Sequence, residues 1–247
     1  MNRFVLVTHP RCGSTYLATL LNSHPQVLCH GELFYRLQVF YAVGYRDGSL
    51  HLATAEERDA DPRGFLDKVW AHPFGNSAVG FKLVAGQHPG AFEAVYADLG
   101  VRAIVLRRRN RLKKFVSALI AEREQMWTHY KHRFRPEDLK PVQVEVSLDG
   151  LRSYLDSERA FYDGVTAELA RRPKPWVEVF YEDLFTGGGA VEGLLELLGV
   201  EPGARNLEPA THKRNSRRLR DLIVNFDDLA RQVARTDLEA ELHDSGF

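Results

Sequence analysis

Apolar runs without polar alternation recur along the chain and predict strands that are buried on both faces of a sheet. The runs that fit this description are residues 4–7, 27–29, 78–84, 103–106 and 177–180. Segments with apolar residues at helical spacing lie between them, for example Leu112, Val116 and Leu119. This alternation of strand and helix predicts a parallel α/β sheet with helices on both faces.

Two longer stretches complete the predicted organisation. Residues 35–73 are first aromatic and then charged, and we expect short helices and loops there that shape a substrate pocket. Residues 146–171 predict a long helix whose apolar face includes Leu148, Leu151 and Leu155. The sequence contains no internal repeat and no clear linker, so we expect a single domain over residues 1–247.

Composition narrows the class of protein. The 247 residues are 44% hydrophobic and 27% charged, which is ordinary for a globular protein with a full core. The 33 basic and 33 acidic residues balance, which disfavours nucleic acid as a bulk partner. The sequence has no apolar run of membrane-spanning length, so stable membrane insertion is not expected. Two cysteines and the absence of a signal-peptide layout lead us to expect a reducing, cytoplasmic setting.

The junction between the first strand and the helix after it is typical of an anion-binding site. The first N–H groups of a helix have no internal partner, and the helix dipole adds partial positive charge there. Gly13 lets the backbone come close to an oxyanion, and Arg11 adds a planar charged group with several donors. Ser14 and Thr15 add hydroxyl donors. We therefore predict that this loop binds phosphate or sulfate.

Further polar residues follow the other predicted strands, where open parallel sheets bind their ligands. They are Lys82, residues 107–111 and residues 181–183. The opening loop lacks the Gly-Lys-Ser/Thr ending of a Walker A motif, because Ser14 follows Gly13 directly. The later strands lack a clean aspartate for magnesium. We therefore expect the anion to be held by arginine, lysine and backbone N–H groups, without a metal.

Three segments resemble one known family. Residues 10–17, Pro-Arg-Cys-Gly-Ser-Thr-Tyr-Leu, resemble the 5′-phosphosulfate loop of the sulfotransferases that use 3′-phosphoadenosine 5′-phosphosulfate (PAPS). Arg109, with Ser117 eight residues later, is similar to their 3′-phosphate motif. Residues 180–184, Phe-Tyr-Glu-Asp-Leu, resemble the segment whose tyrosine lies near the adenine. The resemblance implies that PAPS contacts Arg11, Cys12, Gly13, Ser14, Thr15, Tyr16, Arg109, Ser117, Tyr181 and a late basic loop with Lys213 and Arg214.

The same resemblance implies a fold and a class of acceptor. Arg11, where other branches have lysine, is similar to the bacterial and carbohydrate-type branch, which includes the Nod-factor and trehalose sulfotransferases. The family implies a P-loop fold, with a five-stranded parallel sheet in the order 2-3-1-4-5 and no metal. The expected acceptor is a small molecule or a glycan.

Sulfuryl transfer requires that the acceptor hydroxyl lose a proton and that the charge on the leaving oxygen be stabilised. We assign the second role to Arg11, Lys82 and the backbone of residues 13–15. Glu32 is the predicted base, because it follows the second strand and similar relatives have a glutamate there. A glutamate suits this role near neutral pH when burial raises its pKa. His9, His30 and His88 remain competing candidates.

Other interpretations stay open. A P-loop kinase-type phosphotransferase would need ATP and magnesium, and a non-catalytic nucleotide-binding protein could share the fold. Cys12 could be a thiol nucleophile at a helix N-terminus, but Ala18 stands where a phosphatase-like loop would have arginine. The sequence leaves open the identity of the acceptor and the oligomeric state, with a homodimer as one option.

Overall fold

The structure is a computed structural model that describes residues 1–45, 48–125, 142–186, 189–201, 207–211 and 218–243. Its five strands, named in chain order, are β1 (Asn2–Thr8), β2 (Val27–Glu32), β3 (Ala78–Val84), β4 (Val101–Arg107) and β5 (Trp176–Phe180). They form one parallel sheet in the order β2-β3-β1-β4-β5. The fold class and the strand order predicted above are therefore confirmed.

Helices connect the strands, as the alternating pattern predicted. The α-helices in the described residues are α1 (Ser14–Leu21), α2 (Ala55–Ala60), α3 (Pro62–Trp70), α4 (Pro89–Ala97), α5 (Arg111–Glu124), α6 (Leu148–Ala170), α7 (Ala190–Leu198), α8 (Leu219–Leu222) and α9 (Phe226–Val233). Short 3-10 helices span Val43–Tyr45, Tyr181–Phe185 and Glu239–Leu242. Within these described ranges, no helix is both long and apolar enough to cross a bilayer.

The contacts divide the chain into two compact units. The first comprises Met1–Arg107 and Gly164–Pro209, and it contains the whole sheet. Its strands read as apolar runs because both faces of the sheet are covered, and all seven residues of β3 are buried. One large core cluster in this unit joins residues of β1 and α1 to residues of β5 and α7.

The second unit comprises Arg108–Asp163 and Ala210–Phe247. Its core is built from apolar residues of α5, the N-terminal part of α6, α8 and α9. Lys114 of α5 is fully buried and forms an ion pair with Glu158 of α6, and the rings of Tyr154 and Tyr162 lie beside its ammonium group. Burial of this charge is tolerated because a carboxylate and two aromatic faces surround it.

A bulge in β2 determines which side chains meet at the carboxyl edge of the sheet. His30 is opposite Phe81 of β3, but the register then shifts, so that Glu32 rather than Gly31 is opposite Lys82. A residue inserted in one strand re-aims the side chains that follow it. The bulge at Gly31 therefore places the carboxylate of Glu32 directly beside the only charged side chain of β3.

Candidate functional site

The loop between β1 and α1 lies at the carboxyl end of the central strand of the sheet. Two of its residues have left-handed backbone conformations, Arg11 with φ 67° and Gly13 with φ 85°. Such a conformation is uncommon for a side chain as large as arginine, and strained positions of this kind cluster at functional sites. Gly13 is the N-cap of α1 and has no side chain to cap its first turn. Ser14 and Thr15 are half-buried in the first turn of this helix, where the backbone N–H groups have no partner within the helix.

Position 13 requires glycine because of a neighbouring ring, that of Tyr181, as well as because of its left-handed backbone. A Cβ atom at this position would overlap the ring of Tyr181. Tyr181 is 5% exposed and also meets the edge of the Tyr16 ring, with the centroids 5.8 Å apart. In this structure Tyr181 therefore packs under the loop and holds it in place. Its contact with an adenine remains a prediction.

Cys12 has an apolar environment. Its side chain is fully buried and belongs to the core cluster that includes Leu17 and Leu21. A thiolate nucleophile needs access and an electropositive surrounding. Cys12 is therefore placed as a core residue, and its predicted contribution to ligand binding comes through the backbone.

Lys82 connects the loop to the second strand. It lies on β3 opposite Leu6 of β1, and its side chain is 5% exposed. Its Nζ donates a hydrogen bond to Thr15 Oγ1 at 2.9 Å and forms an ion pair with Glu32 Oε1 at 3.1 Å. A buried ammonium group of this kind needs polar partners, and here they come from two different elements.

Glu32 is held by donors at both of its carboxylate oxygens. Oε1 faces Lys82 Nζ, and Oε2 accepts a hydrogen bond from Gln87 Nε2 at 3.0 Å. The side chain is 30% exposed, so it is less buried than the sequence analysis expected of a glutamate base. This exposure leaves it accessible to a ligand. The structure thus places a carboxylate next to the lysine that contacts Thr15 in the first turn of α1.

The competing histidines have other roles in the structure. His30 is 1% exposed, and its Nδ1 accepts a hydrogen bond from the backbone N–H of Ala42 at 3.2 Å. Burial lowers the pKa of His30 to about 4, since the charged form would lose its hydration. His88 is the N-cap of α4 and accepts from Gly90 N. His9 is 7% exposed, which leaves Glu32 as the more accessible candidate base.

The predicted 3′-phosphate residues belong to the second unit. Arg109 is exposed, and Ser117 is buried on α5 with 5% exposure. The helix start before Ser117 is capped twice: Asn110 accepts from Lys113 N, and the Glu241 carboxylate accepts from Arg111 N at 2.7 Å. Lys213 and Arg214 lie outside the described residues.

Two arginines of the basic stretch at residues 107–111 form ion pairs with carboxylates. Arg107 pairs with Glu178 at 3.0 Å in the first unit. Arg111 pairs with Glu241 at 2.6 Å in the second unit. Both are therefore engaged by carboxylates of their own unit.

Sequence reasoning missed two residues near Glu32. Gln87 carries no sequence signal for its contact, since nothing in a lone glutamine indicates a partner 55 residues away. Arg58 lies in a stretch whose sequence is simply charged, yet it is 1% exposed and donates to the backbone carbonyls of Leu33 and Tyr35, each at 2.8 Å. It thereby anchors the segment that follows Glu32. A fully buried arginine in an exposed-looking helix gives no signal in sequence.

The site combines a helix N-terminus, a lysine and a carboxylate within one unit. Such a set can bind an oxyanion at the loop and accept a proton beside it. Among the described residues, no group of three or more histidine, cysteine, aspartate or glutamate side chains is arranged to hold a metal ion.

Comparison with known proteins gives relatives over most of the chain. No protein-family model matches it. Nodulation protein H of Rhizobium tropici is 28% identical over 240 residues, which cover 94% of this chain and 89% of the relative. Nodulation protein H of Rhizobium meliloti (strain 1021) is 31% identical over 137 residues, which cover 52% of this chain and 51% of the relative.

Among solved structures, a sulfotransferase from Alicyclobacillus acidocaldarius has the same fold. The two match with a TM-score of 0.51 and 18% identity, and the match covers 99% of this chain and 97% of the other. At this level of identity the likeness concerns the fold alone.

Proposed function

We propose that this chain, as a member of the bacterial sulfotransferase family, transfers a sulfuryl group from PAPS to a hydroxyl of a carbohydrate-type or other small-molecule acceptor. The family assignment is supported by the Nodulation protein H relatives, the fold and the loop at residues 10–17. The proposal treats residues 1–247 as one sulfotransferase domain in a reducing, cytoplasmic setting. Cys12 and Cys29, both buried thiols, fit that setting. The proposal is independent of whether the protein is a monomer or a homodimer.

The loop residues fit the phosphosulfate end of the donor. Arg11, the first turn of α1 and Lys82 place positive charge and N–H donors at one end of β1. When bound, PAPS supplies an activated sulfuryl group and leaves as 3′-phosphoadenosine 5′-phosphate (PAP). The fixed donors of the loop then stabilise the charge on the departing phosphate oxygen. By resemblance, Arg109 and Ser117 are assigned to the 3′-phosphate, and Lys213 and Arg214 to a late basic loop that contacts the nucleotide.

Glu32 is the base in this proposal. The acceptor hydroxyl gives its proton to the Glu32 carboxylate as its oxygen bonds to sulfur, and the bond from sulfur to the phosphate oxygen breaks. The observation that carries the proposal is the placement of Lys82 Nζ, which reaches both Thr15 Oγ1 and Glu32 Oε1. The groups proposed to bind the anion therefore lie next to the group proposed to accept the proton, as transfer between two bound substrates requires.

Binding of PAP tests the donor half of the proposal. A ligand that binds only the folded state at 100 times its Kd adds about 2.7 kcal/mol of stability, which for this chain length raises Tm by roughly 5–10 °C. We expect that shift with PAP in a thermal unfolding assay, and a smaller one with ATP and Mg²⁺. No shift at millimolar PAP refutes the sulfotransferase assignment, and a larger shift with ATP and Mg²⁺ favours the kinase alternative.

Substitution of Glu32 tests the catalytic half. Loss of a general base lowers kcat about 10²–10⁴-fold, so we expect that loss for Glu32→Gln with retained PAP binding. The assay follows ³⁵S transfer from PAPS to trehalose, chitotetraose and p-nitrophenol. Glu56→Gln, at an exposed position of α2, is the matched control and should keep the wild-type rate. A fully active Glu32→Gln variant shows that another group is the base.

A further inference from the structure

The turn that follows β3 delivers a glutamine side chain to Glu32. The strand ends at Val84, whose carbonyl accepts a hydrogen bond from Gln87 N at 3.1 Å. Gly86, the third residue of this turn, has φ 81°, a conformation that type II turns require and that glycine supplies without steric cost. The turn therefore folds Gln87 back towards the edge of the sheet that carries Lys82.

The orientation of the Gln87 amide follows from its second contact with the turn. Val84 N lies 3.1 Å from the side-chain oxygen of Gln87 and can only donate a hydrogen bond. The oxygen must face Val84, so the amide NH₂ must face the other way. On that side it lies 3.0 Å from Glu32 Oε2.

Glu32 thus receives one donor at each of its carboxylate oxygens. Lys82 approaches Oε1, and Gln87 approaches Oε2. With a single donor, the carboxylate could rotate about its terminal bond. Two donors on different residues fix its plane. The amide is neutral, so it orients the carboxylate without adding a second positive charge to the one on Lys82.

We propose that Gln87 is a positioning residue that holds the Glu32 carboxylate in the orientation needed to accept the proton of the acceptor hydroxyl. This inference rests on the proposed function. Each carboxylate oxygen keeps a second lone pair, and the 30% exposure of the Glu32 side chain leaves room for a hydroxyl. Small displacements of a catalytic group lower rates by up to about 10²-fold. We therefore expect loss of Gln87 to lower kcat by about 10–100-fold while the KM for PAPS stays within about twofold.

Two substitutions separate positioning from a role in the turn. In Gln87→Glu an oxygen still accepts from Val84 N, but the donor to Glu32 is replaced by a second carboxylate oxygen, which repels Glu32. In Gln87→Met both contacts are lost. A positioning role predicts a similar loss of kcat in both variants, with the PAP-induced Tm shift retained. A purely structural role predicts that Gln87→Glu keeps a rate within about twofold of wild type, which would overturn the proposal. Gln143→Glu, an exposed position in the second unit, makes the same charge change and should be fully active.

A spectroscopic measurement on the folded wild type keeps the proposal testable where a variant is unstable. The side-chain amide resonances of Gln87 should move as Glu32 takes up a proton, and this movement should vanish in Glu32→Gln. Gln87 resonances that stay unchanged when Glu32 takes up a proton refute the contact.

Failure of the proposed function and failure of the positioning role give different results. A wild type that neither binds PAP nor transfers sulfate refutes the proposed function and the catalytic role of Gln87 with it. An active wild type with a fully active Gln87→Glu variant refutes the positioning role alone.

Discussion

His30 should make the stability of this protein depend on pH in a window set by its burial. The folded state holds His30 neutral, with a pKa of about 4 against the usual 6.5. As pH falls below 6.5 the unfolded chain takes up a proton at His30 first, so the unfolded state gains stability relative to the folded one. The contribution of a neutral His30 is therefore fully present above pH 6.5 and is lost progressively towards pH 4.

The magnitude follows from the two pKa values. Between pH 7 and pH 4.5, a group with pKa 6.5 unfolded and about 4 folded changes the free energy of unfolding by about 2 kcal/mol. That is a large part of the total for a protein of ordinary stability, about 5–15 kcal/mol. The 1% exposure of the side chain and its hydrogen bond from Ala42 N leave little water to relieve the charge.

The assay is urea denaturation of the wild type and of His30→Asn at pH 7.0, 6.0, 5.0 and 4.5. The asparagine oxygen can still accept from Ala42 N, but it does not titrate. We expect the difference in unfolding free energy between the two proteins to shrink by about 2 kcal/mol across this range, because only the wild type carries the penalty. His72→Asn, at an exposed histidine, should leave the wild-type pH dependence unchanged. Parallel curves for wild type and His30→Asn would refute the reasoning.

Two further substitutions test the loop and the second unit. Gly13→Ala combines a left-handed backbone with overlap of the Tyr181 ring, so urea denaturation should show a loss of at least about 2 kcal/mol and the PAP-induced shift should fall. Gly75→Ala also has a left-handed backbone, with φ 81°, but its added Cβ meets no atom within 4 Å among the described residues beyond its chain neighbours, so it should lose only about 1 kcal/mol. An equal loss in both variants would show that the Tyr181 ring does not contribute to the effect at Gly13. Glu241→Ala removes the carboxylate at the first turn of α5 and should lower stability by about 1–2 kcal/mol. Glu145→Ala, at an exposed carboxylate, should keep an unfolding free energy within about 0.5 kcal/mol of wild type. Equal losses in Glu241→Ala and Glu145→Ala would show that the Glu241 carboxylate does not stabilise the start of α5.

The strands were predictable because their sequence signal is local. A strand buried on both faces is a short apolar run, and β1, β3 and β4 are read directly from such runs. The start of α1 was equally clear, since Gly13 and the hydroxyl residues after it mark a helix N-terminus. The order of the strands came from the family resemblance, because spacing along the chain does not say which strands are neighbours.

The contacts around Glu32 could not be predicted because they depend on register and on distant partners. In a regular strand Gly31 would lie opposite Lys82, and one inserted residue brings Glu32 there instead. A glycine inside a strand is a signal for a bulge, but it does not say which side chain is re-aimed. Gln87 and Arg58 act through hydrogen bonds that only the folded chain creates.

Glu32 is the ion partner of the buried Lys82 as well as the proposed base, and both roles affect how its substitutions must be interpreted. Lys82 is 5% exposed, and its ammonium group depends on Glu32 and Thr15 for polar partners. An alanine at position 32 would remove the base and also leave this charge without its counter-ion, so a loss of activity could come from a displaced Lys82. Glutamine also removes the negative charge, but it keeps an oxygen that accepts a hydrogen bond from Lys82 while it removes the ability to take up a proton. A loss of turnover in Glu32→Gln therefore reports on proton transfer where PAP binding is retained, because retained binding shows that Lys82 and the loop are still in place.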